Sequence, residues 1–379
     1  MLKLLLGLAC ISSTWAAREV EDIAYTIEGF EIPIKVVVPE TGMGPFPVVY
    51  HVHGGGWNGG TDTSVPAPSV YPGFRFLSDQ IGVIHVGLAY RGKIQGDFQD
   101  ALHDLRASIR WFESRADEFN ADLSRVGFSG GSAGTPLSAI LAQETPASRT
   151  FVGFFGVYDL LNNTESLFPN EEARAAYGLV SDEQKRAASV FHNLRTSPPA
   201  SLLFHGGHDI LTHPSQSRRF ATQLQEQGAV AEAIIYPEVN HGYFSERYPV
   251  EFKDTLLRIA ELYVEHLGIE AENTSRLAAN IDARVAGYFP REVIAPAEVL
   301  GTWKGRRETF TFFDASTGER KVNSKTGRQF TYKIDRGTLI LNDETGTTEL
   351  YLQRNGRALC LIVKNDVRRT GQRFAFTKQ

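Results

Sequence analysis

The sequence predicts an α/β protein: a mostly parallel sheet with helices on both faces, followed by a small antiparallel β-domain. Three observations lead there. Between residues 24 and 267, apolar runs of strand length alternate with stretches of helical spacing, the pattern of a parallel sheet covered on both sides. From Glu298 onward the chain reads strand, turn, strand, with period-two alternation. The chain has 379 residues, 42% hydrophobic and 22% charged, which is ordinary globular usage with room for about two domains. That composition excludes a disordered or collagen-like chain. A formal charge of −5 argues against nucleic acid as a partner. Two cysteines exclude a disulfide framework or an all-cysteine metal cluster.

Met1–Ala17 has the order of a secretory signal peptide: Lys3, the apolar run Leu4–Ile11, then small residues that allow cleavage after Ala16 or Ala17. A secreted or periplasmic location is expected. The run is too short for a transmembrane segment, which needs about 20 residues, and no other apolar stretch is long enough. Cleavage would remove Cys10 and leave Cys360.

Ala24–Ile27 and Ile32–Val38 read as strands joined by a Glu28-Gly29 turn, and Pro45–His53 and Ile81–Leu88 as buried strands. Asp97–Asn120 is helical, with Ala101, Leu105, Ile109 and Phe112 on one face. Arg125–Gly130 is a strand, Ala133–Gln143 a helix and Phe151–Val157 a strand. Asn162–Asn193 is polar and helical, an insert where a lid would sit, with Phe168, Tyr177, Leu179, Phe191 and Leu194 as its apolar side. Strands Ser201–His205 and Glu232–Tyr236 flank the helix Pro214–Glu226, and Val250–Leu267 is a long amphipathic helix. The expected division is a signal peptide at 1–16, a main domain at 17–267, a partly helical linker at 268–297 and a β-meander or barrel at 298–379.

Gly127-Phe128-Ser129-Gly130-Gly131-Ser132-Ala133-Gly134 holds two overlapping G-x-S-x-G motifs. The motif marks a sharp strand-to-helix turn that exposes a serine nucleophile. Pro136 chooses between the two serines. With Ser132 at the turn, the proline falls in the first helical turn, where its missing N–H costs nothing. With Ser129 there, it lies deeper, where proline costs about 3 kcal/mol. The expected nucleophile is Ser132. Upstream, His53-Gly54-Gly55-Gly56-Trp57 follows the third strand. A loop of this type presents backbone N–H donors to an oxyanion, so Gly54, Gly55 and Ala133 are the expected donors.

These motifs, with Ala89-Tyr90-Arg91, His205-Gly206-Gly207-His208-Asp209 and Asn240-His241-Gly242, follow one another in the order of a known family. Over residues 25–267 the sequence resembles the esterase/lipase branch of the α/β-hydrolase fold that includes hormone-sensitive-lipase-like and feruloyl-esterase-like (BD-FAE-like) carboxylesterases. Thr135 stands where that branch usually has another glycine. The resemblance implies a triad in the chain order serine, acid, histidine. Asp209 follows one strand and His241 the next, at the carboxyl ends where such sheets present ligands. They are the expected acid and base. Asp159 is the alternative acid, more simply a turn cap. Trp57 and Tyr243 flank the site as candidate stacking contacts to substrate or as core residues. A metal reading, with His51 and His53 as an H-x-H pair, is outweighed by the glycines beside them, and no cofactor is expected.

The halves differ in charge. Residues 298–379 carry 16 basic and 9 acidic side chains, against 22 and 35 in residues 17–297. The basic part either docks on the acidic part, the preferred reading, or anchors the protein to an anionic surface. The sequence thus points to a secreted serine carboxylesterase acting on short-chain or carbohydrate-linked esters. The alternatives are a serine peptidase of the same fold and an inert hydrolase-like binding protein.

Overall fold

The computed structural model describes residues 17–379 except 59, 62–63, 238, 247, 289–298, 305–307, 315, 323–326, 336–337, 345, 356–357, 367–374 and 379. The leader-like segment 1–16 and the end of the 268–297 linker lie outside the described residues.

Eight strands form the first sheet: β1 (Arg18–Ile27), β2 (Phe30–Val38), β3 (Phe46–Val52), β4 (Ile84–Leu88), β5 (Ala121–Gly131), β6 (Ser148–Phe154), β7 (Ala200–Gly206) and β8 (Ala231–Tyr236). Their order is β1-β2-β4-β3-β5-β6-β7-β8. The pairs β1–β2 and β2–β4 are antiparallel, and all others are parallel. Every residue of β3 and β4 is buried, which is why both read as unbroken apolar runs rather than alternating ones.

Side-chain alternation splits the core between two faces. On one, Val48, Tyr50 and Phe128 pack with Leu105 of α2 (Phe98–Glu113), Leu137 of α3 (Thr135–Glu144) and Phe220 of α6 (Ser215–Glu226). On the other, Val49, Val152 and Phe204 pack with Phe74 and Leu77 of α1 (Pro72–Ile81) and with Leu256 and Tyr263 of α7 (Pro249–Leu267). The sequence reading missed α1 and started a strand at Ile81. In the structure Ile81 closes that helix, Gly82 caps it at φ 74°, and the strand starts at Ile84. Pro72 in the first turn and Gly82 just past the end were the signals.

The 162–193 insert contains two short helices, α4 (Glu171–Ala176) and α5 (Asp182–Ala187), capped by the Asn170 and Ser181 side chains. Its apolar residues pin it down. Tyr177 and Leu179 are buried in the main core, with Phe168, Phe191 and Leu194 packed against it. The Tyr177 hydroxyl also donates to the Arg91 carbonyl at 2.8 Å. Arg91 itself is buried, paired with the buried Asp104 through Nε to Oδ2 and Nη2 to Oδ1, both at 3.0 Å. Tyr25 of β1 donates to the same carboxylate, so one ion pair ties β1, α2 and the insert's anchoring loop together.

Beyond α7, α8 (Leu277–Tyr288) buries Leu277 and Ile281 in the second core. The chain then forms a closed antiparallel barrel of β9 (Gly301–Lys304), β10 (Glu308–Phe312), β11 (Thr317–Val322), β12 (Arg328–Asp335), β13 (Thr338–Asp343), β14 (Gly346–Asn355), β15 (Ala358–Asp366) and β16 (Ala375–Lys378). β16 pairs back with β9, which leaves no open edge. Trp303, Phe310, Phe312, Phe330, Tyr332, Leu339 and Leu341 belong to a core cluster of its own. Among the described residues, no helix is long and apolar enough to cross a membrane.

Candidate active site

The site forms at the carboxyl ends of the central parallel strands. β5 ends at Gly131, and the next residue, Ser132, adopts φ 52°. A serine in the left-handed region is uncommon and costs energy, which the surrounding packing must supply. The turn runs directly into α3, with Pro136 in its first turn. Ser129 lies on the strand itself, fully buried, with Oγ 2.8 Å from His51 Nδ1. The two serines of the overlapping motifs therefore part: one faces the site and the other faces the core.

His241, in the loop after β8, stands between two groups. Its Nε2 is 2.9 Å from Ser132 Oγ, and its Nδ1 is 2.7 Å from Asp209 Oδ2. Asp209 follows β7 and is 1% exposed. Its Oδ1 accepts from the Leu211 and Thr212 amides at 2.9 and 3.1 Å, and its Oδ2 from the Thr212 hydroxyl at 3.0 Å. Burial alone would raise this carboxyl. Hydrogen bonding by His205 and His241 outweighs burial and holds it far below the ordinary carboxylate range. An ionised acid behind a histidine fixes the Nδ1–H tautomer and leaves Nε2 as a proton acceptor.

The glycine loop touches the turn. A methyl group at Gly54 would lie 2.8 Å from the Gly131 carbonyl oxygen and 3.0 Å from Ser132 Cβ, so only glycine permits this approach. His53 braces the loop: its ring stacks on Tyr90 at 4.8 Å, and Tyr90 donates to the His53 carbonyl at 3.0 Å.

Trp57 and Tyr243 are placed differently from a stacking role. Trp57 is 1% exposed: its Nε1 donates to the Ala133 carbonyl at 2.8 Å and its ring stacks on Tyr177 at 4.8 Å. Tyr243 is fully buried, with its hydroxyl 3.2 Å from Thr255 Oγ1. Both carry polar tips that the interior satisfies, so neither ring is left for substrate. Asp159 caps a turn, accepting from the Leu161 and Asn162 amides, and is held by Arg219 at 2.6 Å. Among the described residues no three His, Cys, Asp or Glu side chains converge to hold a metal.

Sequence reasoning missed two supporting residues, Phe155 and Thr212, and named a third, His205, only as part of a motif. Phe155, at φ 37°, sets its ring 4.7 Å from that of His241. Thr212 holds the acid. His205 lies behind it, with Nε2 2.7 Å from the Thr212 carbonyl oxygen and Nδ1 2.7 Å from Ser217 Oγ. Phe155 directly follows β6 and Thr212 lies in the loop of the acid, places that could have signalled them, whereas His205 lies within β7.

Comparisons with known proteins agree with this architecture. The family model described as BD-FAE matches residues 34–224. The probable carboxylic ester hydrolase LipM of Mycobacterium tuberculosis is 26% identical over 218 residues, 52% of this chain and 48% of its own length. Esterase LipQ of the same organism is 24% identical over 241 residues, 59% and 55% of the two chains. This chain spans about half the length of these curated relatives. Among solved structures, the propionate-bound esterase Est2 of Thermogutta terrifontis is similar in fold, with TM-score 0.54 at 21% identity over 66% of this chain and 94% of its own.

Proposed function

The chain belongs to the BD-FAE family and has the α/β-hydrolase fold, and from that premise we propose that it is a serine carboxylesterase working through an acyl-enzyme. The observation that carries the reading is one imidazole, His241, within hydrogen-bond reach of both Ser132 and the ionised Asp209. Ser132 Oγ attacks the ester carbonyl carbon while His241 Nε2 takes its proton. Asp209 steadies the imidazolium that results. The carbonyl oxygen, now an anion, is received by the amides of Gly54, Gly55 and Ala133. Collapse breaks the bond to the alcohol oxygen, which leaves with the proton from His241. Water attacks the acyl-serine by the same route, releasing the acid and restoring Ser132.

Short-chain or carbohydrate-linked esters are the proposed substrates. The apolar side of the 162–193 insert is spent on the core rather than offered to a long acyl chain. The signal-peptide order of residues 1–16 supports secretion to the periplasm or beyond. We divide the protein into the hydrolase at 17–267, a linker at 268–297 and the barrel at 298–379. Ser132→Ala is expected to lower p-nitrophenyl acetate turnover by about 10^4-fold or more while the circular dichroism melting curve stays in place. Turnover retained in that variant would refute the assignment.

A further inference from the structure

We propose that Tyr71 is a substrate-binding residue whose hydroxyl pairs with a hydroxyl group on the alcohol half of the ester. The inference rests on the esterase reading and names a determinant of its alcohol specificity. Tyr71 ends the segment that joins β3 to α1. Its ring is clamped: 4.6 Å from that of His51, and edge-on to Phe154 and Phe244, both at 5.5 Å. The clamp aims the hydroxyl at Gly131, the residue before the nucleophile. A methyl group at position 131 would overlap the Tyr71 oxygen. Gly131 has extended backbone, φ −118° and ψ 134°, which any residue adopts, so its lack of a side chain serves space rather than conformation. The space is filled by the phenol.

The hydroxyl has no hydrogen-bond partner among the described residues, although the side chain is only partly exposed. Tyr90, Tyr177 and Tyr243 bond their hydroxyls within the protein, and the hydroxyls of Tyr50, Tyr158 and Tyr263, which also lack partners among the described residues, are buried. Burial raises the Tyr71 phenol above its ordinary range, so it remains a neutral donor and acceptor at working pH. Its position sets which half of the ester it meets. Phe244, against which the ring packs, lies three residues beyond His241 in the same loop. The leaving oxygen must approach His241 to receive its proton, so the alcohol lies on this side. A neutral phenol flanked by apolar rings favours an alcohol that brings its own hydroxyl over an apolar one of equal size.

The test is the ratio of kcat/KM for 6-O-acetylglucose to that for cyclohexylmethyl acetate, which has similar bulk and no free hydroxyls. The wild-type protein should favour the sugar ester, and Tyr71→Phe, which keeps the ring and its packing, should lower the ratio about tenfold. A purely structural role would lower both values together and leave the ratio unchanged, and that result overturns the proposal. So does a wild-type protein without preference for the sugar ester. Wild-type inactivity on p-nitrophenyl acetate as well would overturn the esterase reading itself.

Discussion

Ser129 and Ser132 sit three positions apart in overlapping motifs, and the end of the strand at Gly131 decides their fates. Ser129 points into the second core and meets His51, which is fully buried and must stay neutral there. Burial, with a smaller contribution from neighbouring His53, lowers the His51 pKa to about 3. In the unfolded chain a histidine titrates near about 6.5. Between these values the unfolded state binds a proton that the folded state refuses. His51 therefore supports stability fully above the unfolded value, and that support is lost as pH falls from there toward about 3. His51 contributes about 1.4 kcal/mol per pH unit to the slope, beside His53 and His85, whose pKa values burial also lowers. Urea unfolding at pH 7, 6 and 5 measures it, and in His51→Phe the slope should be smaller by about that amount. An unchanged slope would show that His51 is not the titrating group.

At the scale of elements, the turn at Ser132 depends on a loop and an insert that are far apart in sequence. Trp57, itself at φ 55°, donates to the Ala133 carbonyl and stacks on Tyr177, while Phe168 lies 5.2 Å from its ring. Phe168 and Leu167 in turn donate their amides to the carbonyls of Leu211 and Ile210, beside Asp209. The insert thus bridges the glycine loop and the acid loop, and acts as a brace in the place where the sequence suggests a lid. Trp57→Phe keeps an aromatic ring but strands the Ala133 carbonyl, at a cost of about 1–3 kcal/mol. It should lower kcat for p-nitrophenyl acetate about tenfold with little change in KM, because the damage is to the geometry of Ala133 and not to a substrate contact. A rise in KM at constant kcat would instead return Trp57 to the substrate pocket.

At the scale of the whole molecule, the charge difference between residues 17–297 and 298–379 is the largest feature without an assigned use. Docking of the basic barrel on the acidic hydrolase predicts that a chain ending at residue 288 melts several degrees lower than the full chain, and that added salt narrows the gap. Equal melting temperatures, together with salt-sensitive retention of the full chain on an anionic polysaccharide, would favour surface anchoring.

Much of this protein was legible one residue at a time. Local rules were enough for the alternation of strand and helix, the turn at Ser132 that Pro136 marks, and the positions of Asp209 and His241 after strand ends. Each depends on backbone geometry within a few residues. Barrel closure was less legible, since pairing β16 with β9 joins segments about 70 residues apart and leaves no local mark. The sequence by itself determined the fold class and the order of the motifs. Only the tertiary structure decided that Trp57 and Tyr243 face inward, that the insert is pinned, and that Tyr71 stands against Gly131. Burial and side-chain direction are set by which distant segments pack together, and no periodicity records that.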